Sequence, residues 1–130
     1  MSYQPQFKVK ATYMRGGTSK GTFFNIADLP KEAQEDTKKR DKLLQRIVGS
    51  PDVYKQQMDG MGGATSSTSK AILVGKSDVP GHDVDYYFCQ VAIDKDFVDM
   101  SGNCGNLSSA VGPFAIKEGL VDNVPQNGVC

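Results

Sequence analysis

Eight of the fourteen glycines fall in three short polar segments: residues 14–21 (MRGGTSKG), 59–70 (DGMGGATSSTSK) and 101–106 (SGNCGN). Glycine at this density breaks helix and strand alike, so regular structure has to fit around these segments as short elements. The excess is real, since glycine usually makes up only about 7% of a chain and here it is 14 of 130 residues. Each segment also carries Ser, Thr or Asn, and two carry Lys. Glycine lets a backbone approach a ligand and present its N–H groups, while hydroxyls and ammonium groups add donors. These are the ingredients of an anion site. Ordinary polar turns are the alternative for any one segment, and a weaker one for all three.

The stretches between the segments carry elements of both kinds. Phe7, Val9, Ala11 and Tyr13 alternate with polar residues, which predicts a strand over 7–13, and a second short strand is expected over 22–25. Asp28 is placed to cap a helix near Pro30. Residues 31–46 hold six basic and four acidic side chains, and Leu43, Leu44, Ile47 and Val48 add an apolar stripe. An amphipathic helix over 35–48 follows, its charges forming a solvated face, with Gly49 and Pro51 as its stop. Strands are expected over 70–74, 83–93 and 97–99, with a turn at Pro80, Gly81 and His82. Residues 106–118 read as a helix with Leu107, Ala110, Val111, Phe114 and Ala115 on its apolar side. Gly112 and Pro113 conflict with a continuous helix, so it either kinks or consists of two pieces. Strands with interspersed helices and short connections define an α+β class.

Several function classes are excluded by what is missing. The fifteen basic and fifteen acidic residues cancel, which argues against a general nucleic-acid binder. No apolar run approaches the roughly 18 residues of a membrane span, and the first thirty residues mix charge and polarity too evenly for a secretory signal. Three cysteines cannot close a disulfide framework, so free thiols and a cytoplasmic setting are expected. The P-loop pattern fails because Ser, not Gly, precedes both Lys20 and Lys70. A dinucleotide fingerprint fails because Thr65 stands where the third glycine belongs and a strand follows. No two cysteines lie at zinc-ligand spacing. His82 is the only histidine; beside Asp83 and Asp85 it reads as a solvated loop end rather than a metal site, and a Ser-His triad would depend on it alone.

Two residues stand out as chemistry. Cys104 lies immediately before a predicted helix, where unpaired N–H groups lower a thiol's pKa and make it a usable acid or base. The same N–H groups suit a carboxylate. Lys70 lies where a hydroxyl-rich loop enters a strand, and partial burial there would favour the neutral amine that a general base requires. A buried structural cysteine and an exposed strand-end lysine are the plainer alternatives. Cys89, in mid-strand, is expected in the core.

Residues 11–23 (ATYMRGGTSKGTF), 47–52 (IVGSPD), 59–70 (DGMGGATSSTSK), 98–116 (VDMSGNCGNLSSAVGPFAI) and 127–130 (NGVC) resemble the 2-methylaconitate cis-trans isomerase (PrpF) family of the diaminopimelate epimerase-like superfamily. The superfamily's Cys-Gly-Asn motif falls on Cys104, Gly105 and Asn106, and 4-oxalomesaconate tautomerases share much of the pattern. The resemblance implies two similar domains, each a curved, mostly antiparallel sheet wrapped around a central helix, with the active site in the cleft between them. It implies no metal or organic cofactor. The implied substrates are small unsaturated tricarboxylates, in which a proton moves across an allylic system, as in 2-methylaconitate isomerisation during propionate breakdown by the methylcitrate cycle. By the same resemblance Lys70 is the principal acid/base, and Cys104 assists or positions the substrate.

Substrate contacts are then expected from Arg15, Gly17, Thr18 and Ser19 in the first segment, Ser67, Thr68 and Ser69 in the second, and Asn103, Gly105 and Asn106 in the third. Family members are longer than this chain. Residues 1–130 are therefore expected to be the first domain of a two-domain enzyme whose second domain is absent, with Cys130 an internal residue at a cut end. That missing domain and the substrate are the expected partners, and a homo-oligomer is left open. The rival readings are 4-oxalomesaconate tautomerase and a non-catalytic carboxylate-binding accessory of a partner dehydratase.

Overall fold

The computed structural model describes residues 8–122 and 124. The chain begins with a hairpin, β1 (Thr12–Gly16) and β2 (Ser19–Asn25). Gly17 and Thr18 form its two-residue turn, with Gly17 at a φ of +55°, a region that favours glycine. The strand expected over 7–13 is thus displaced toward the turn. Pairing sets it: Thr12 lies opposite Phe23, and the chain leaves the sheet at Asn25 for a 3-10 turn, Ile26–Asp28. Phe7 lies outside the described residues.

The charged segment folds as two helices, α1 (Lys31–Glu35) and α2 (Thr37–Val48), rather than one. Asp36 breaks them with extended backbone and caps α2 by accepting from the Lys38 N–H at 2.9 Å. Asp28 caps nothing; it sits inside the 3-10 turn, which Asn25 caps. Gly49 ends α2 in the left-handed region at φ +90°, the expected stop. Lys38, Lys39, Lys42 and Arg46 face solvent, while Leu44 and Val48 are buried.

Then follow β3 (Lys70–Lys76), β4 (Val84–Val91) and the short β5 (Val98–Asp99). The sheet order is β1-β2-β3-β4-β5. Only the β2–β3 pair is parallel, and residues 26–69 supply its long crossover. The sheet is mostly antiparallel, as expected. Beyond it, α3 (Gly105–Ser108) and α4 (Val111–Lys117) replace one continuous helix. Pro113 is the third residue of α4, in the first turn, where a missing N–H leaves no intrahelical bond unmade.

Two cores flank the sheet. Phe23, Ile72 and Val74 pack against Leu107, Val111 and Phe114 on one face. Phe24, Ala71, Leu73 and Cys89 pack against Leu29, Leu44 and Val48 on the other. Adjacent strand residues go to opposite faces, so β3 is buried on both sides. The Phe23 and Phe114 rings, 5.5 Å apart between centroids, tie β2 to α4. Burial of each ring contributes about 1.5–3 kcal/mol.

Candidate active site

Three strand and helix beginnings converge on the α3 face of the sheet. Lys70 opens β3, Ser19 opens β2, and Cys104 caps α3. The parallel register sets Thr22 beside Ala71, which brings the starts of β2 and β3 together. Gly21 leaves room: a Cβ there would lie 2.9 Å from Leu107 Cδ1 and 3.1 Å from the Lys70 carbonyl oxygen. Lys70 Nζ lies 3.3 Å from Cys104 Sγ and 3.1 Å from Ser19 Oγ, and the Ser19 and Cys104 side chains are 3.7 Å apart. The three form a closed triangle. Lys70 is half-buried, and its ammonium stands 5.8 Å from the centre of the Phe88 ring.

The neighbours of the Cys104 thiol favour its ionised form. Burial alone would raise the pKa of Cys104. The Leu107 N–H, the Ser19 hydroxyl and the Lys70 ammonium outweigh burial and bring it below the ordinary thiol value. Cys89 shows the opposite case: apolar burial pushes its thiol up to about 12, fitting the core role expected of it.

Other residues form the rim. Asn106 Nδ2 donates to Thr18 Oγ1 at 3.1 Å, and Gly17 passes so close that a Cβ would lie 2.3 Å from Asn106 Oδ1. Asn103 Oδ1 accepts from the Tyr86 hydroxyl and from the Cys104 N–H. The backbone N–H groups of Gly105 and Asn106 meet no acceptor among the described residues, and the space above Gly105 is open. Ser67 and Thr68 lie beside the site, where the Ser67 carbonyl accepts from the Lys20 N–H at 3.0 Å. Their hydroxyls bond to Thr65 Oγ1 within their own loop.

Three residues expected to meet substrate are placed otherwise. Arg15 is on the opposite face of β1 from Gly16, because side chains alternate along a strand and Gly16 faces α3. Ser69 is fully buried on the α2 side, donating to the Val91 carbonyl at 2.6 Å and accepting from Gln57 at 2.8 Å. Ser19 is only 2% exposed and sits beneath the Lys70–Cys104 pair. His82 is exposed in its turn.

Three supporting residues escape the sequence reading. Gln57, buried at 1% exposure, donates to Ser50 and Ser69 and accepts from the Ala64 N–H, tying the second glycine segment to the sheet. No motif marks it. Tyr86 and Phe88 were legible only as strand residues, although alternation puts Phe88 beside Ile72 on the site face. A cavity of about 620 Å³ lies on the other face of the sheet, away from Lys70 and Cys104. No helix among the described residues is long and apolar enough to cross a membrane.

The family model described as "PrpF protein" matches residues 6–130. The chain is similar to the 2-methyl-aconitate isomerase of Cupriavidus necator, 63% identical over 131 residues, covering 99% of this chain and 33% of the relative. It is similar to the 2-methyl-aconitate isomerase of Shewanella oneidensis, 62% identical over 130 residues, covering 98% and 33%. Among solved structures, a methylitaconate-delta-isomerase superposes with a TM-score of 0.80 at 50% identity, covering 89% of this chain and 28% of that one. The chain spans about a third of the length of the curated relatives it matches. Its fold is that of the diaminopimelate epimerase-like isomerases.

Proposed function

Because the chain belongs to the PrpF protein family, we propose that it carries the acid/base centre of a cofactor-independent isomerase. The substrate is a small unsaturated tricarboxylate, 2-methylaconitate in the first instance, converted between its cis and trans forms in propionate breakdown. Residues 1–130 form the first of two domains, and the remainder of the enzyme supplies the other wall of the cleft. The setting is the cytoplasm, where Cys89 and Cys104 stay free thiols.

One observation carries this reading: Lys70 and Cys104, 3.3 Å apart, can share a proton at the edge of an open N–H cradle. A proton on a carbon next to an alkene conjugated with carboxylates is weakly acidic. The Lys70 amine takes it, the C–H pair spreads into a dienolate, and the Gly105 and Asn106 N–H groups stabilise the charge on the carboxylate oxygens. The former double bond, now partly single, rotates. The ammonium then returns the proton to carbon, and the product is the geometric isomer. Cys104 holds the charge balance beside Lys70 throughout. A carboxylate-binding accessory protein would have no use for a half-buried lysine in contact with a buried thiol and hydroxyl.

The test is turnover of 2-methylaconitate by the full-length enzyme that carries this sequence, with 4-oxalomesaconate assayed beside it. Lys70→Ala is expected to lower kcat by about 10²–10⁴-fold. Near-normal turnover would remove Lys70 from the mechanism, and preference for 4-oxalomesaconate would reassign the substrate.

A further inference from the structure

Ser19 has a hydroxyl that the isomerase reading leaves without a task. It is 2% exposed, and among the described residues its side chain bonds only to Lys70 Nζ at 3.1 Å and Cys104 Sγ at 3.7 Å. A substrate would reach it only by displacing one of them. Its position is built in. It follows the Gly17–Thr18 turn, which Asn106 clamps, and its strand partner Gly16 packs against the Asn106–Leu107 backbone. The hairpin therefore presses Ser19 against the start of α3.

We propose that Ser19 is a positioning residue that couples the protonation states of Lys70 and Cys104. A hydroxyl has one proton and two lone pairs, so it can face the pair in either sense. When Lys70 is an ammonium and Cys104 a thiolate, Nζ–H donates to Oγ and the Ser19 O–H donates to sulfur. When the proton has moved, the thiol S–H donates to Oγ and the Ser19 O–H turns to the free pair on Nζ. An N–H bond breaks, an S–H bond forms, and Ser19 keeps one proton. Both states are fully hydrogen-bonded, and the low polarity around the site makes an unpaired alternative costly. The pair can then hold its amine form for proton abstraction and its ammonium form for proton return without admitting water.

The kinetic consequence rests on the isomerase reading; the coupling itself does not. It is measured by ultraviolet thiolate absorbance against pH in a Cys130→Ser background, where Cys89, at about 12, stays silent. Ser19→Ala is expected to raise the Cys104 midpoint by about one pH unit, a tenfold loss of thiolate at pH values below the midpoint. A folded Ser19→Ala chain with an unmoved midpoint and only a lower melting temperature overturns the proposal. If that variant does not fold, the Ser19 hydroxyl proton of the unsubstituted side chain decides by NMR. A shift that follows the Cys104 titration supports coupling, and a flat one overturns it. A moved midpoint without 2-methylaconitate turnover by the full-length enzyme would keep Ser19's role and sink the isomerase reading. Turnover with an unmoved midpoint would do the reverse.

Discussion

At the scale of single residues, the site is a contest between burial and hydrogen bonding. Burial raises the Cys104 thiol, whereas the Leu107 N–H, Ser19 and Lys70 stabilise the thiolate and prevail. The sign of the stability effect follows. A thiol whose native pKa is depressed contributes stability that is fully present above its unfolded value and is lost as pH falls through the native value. Urea midpoints of the chain should therefore rise with pH across that window. Lys70→Met removes the ammonium and should raise the Cys104 midpoint, shrinking the window. Identical pH profiles for the two chains would show that the ammonium does not support the thiolate. Sequence alone singles out Cys104 and Lys70, which the fold brings to 3.3 Å, because their neighbours are unusual: a Gly and Asn flank for one, a hydroxyl-rich approach for the other. It could not foresee that Ser19 faces the pair while Ser69 faces away, since both are serines in similar segments. Strand register separates them, and register depends on partners remote in the chain.

At the scale of elements, glycine acts by permitting contact. A Cβ on Gly16 would lie 2.4 Å from the Asn106 carbonyl oxygen and 2.8 Å from Leu107 Cα, both backbone atoms that cannot turn aside. Gly16→Ala is expected to push the hairpin off α3 and cost about 1–3 kcal/mol in chemical denaturation, with the Cys104 midpoint rising as Ser19 withdraws. An unchanged midpoint would mean the hairpin can shift without carrying Ser19 with it. The crossover before β3 depends on a different device. Gln57 makes hydrogen bonds to Ser50, Ser69 and Ala64 from a buried position. Gln57→Leu leaves the Ala64 N–H without its acceptor and should cost about 2–3 kcal/mol, with faster amide exchange through residues 60–69. Exchange unchanged in that stretch would show the loop holds itself. Helix α2, expected over 35–48 and found over Thr37–Val48, and its Gly49 stop are legible from periodicity. The break at Asp36 was not, because an acidic residue there suits a helix interior and a cap alike. Pro113 points to a kink or a break at residues 112–113, yet the chain breaks earlier, at Ser109 and Ala110, and the proline fits the first turn of α4.

At the scale of the whole molecule, the sheet divides two surfaces of different character. The α3 side carries the polar triangle. The α2 side carries a groove of about 620 Å³ in which Val9, Ala11, Tyr13, Phe24, Leu43, Ile47 and Met61 surround Arg46 and Thr22. Nearby, Val53, Tyr54 and Met58 are each at least 80% exposed. So much accessible apolar surface beside one cation suits an anionic aromatic dye, and anilinonaphthalene sulfonate should bind the native chain well below its unfolding transition. Tyr13→Lys should cut the fluorescence severalfold. Tyr13 is 45% exposed, so the change costs little burial. Its side chain and the Lys70–Cys104 pair occupy opposite faces, backed by separate cores, and effects at such distant sites add independently. The Cys104 titration should therefore be the same in Tyr13→Lys as in the unsubstituted chain. A titration that moved with the groove substitution would mean that the sheet transmits strain between its faces, and that the Lys70–Cys104 pair is set by both surfaces rather than by the α3 side alone.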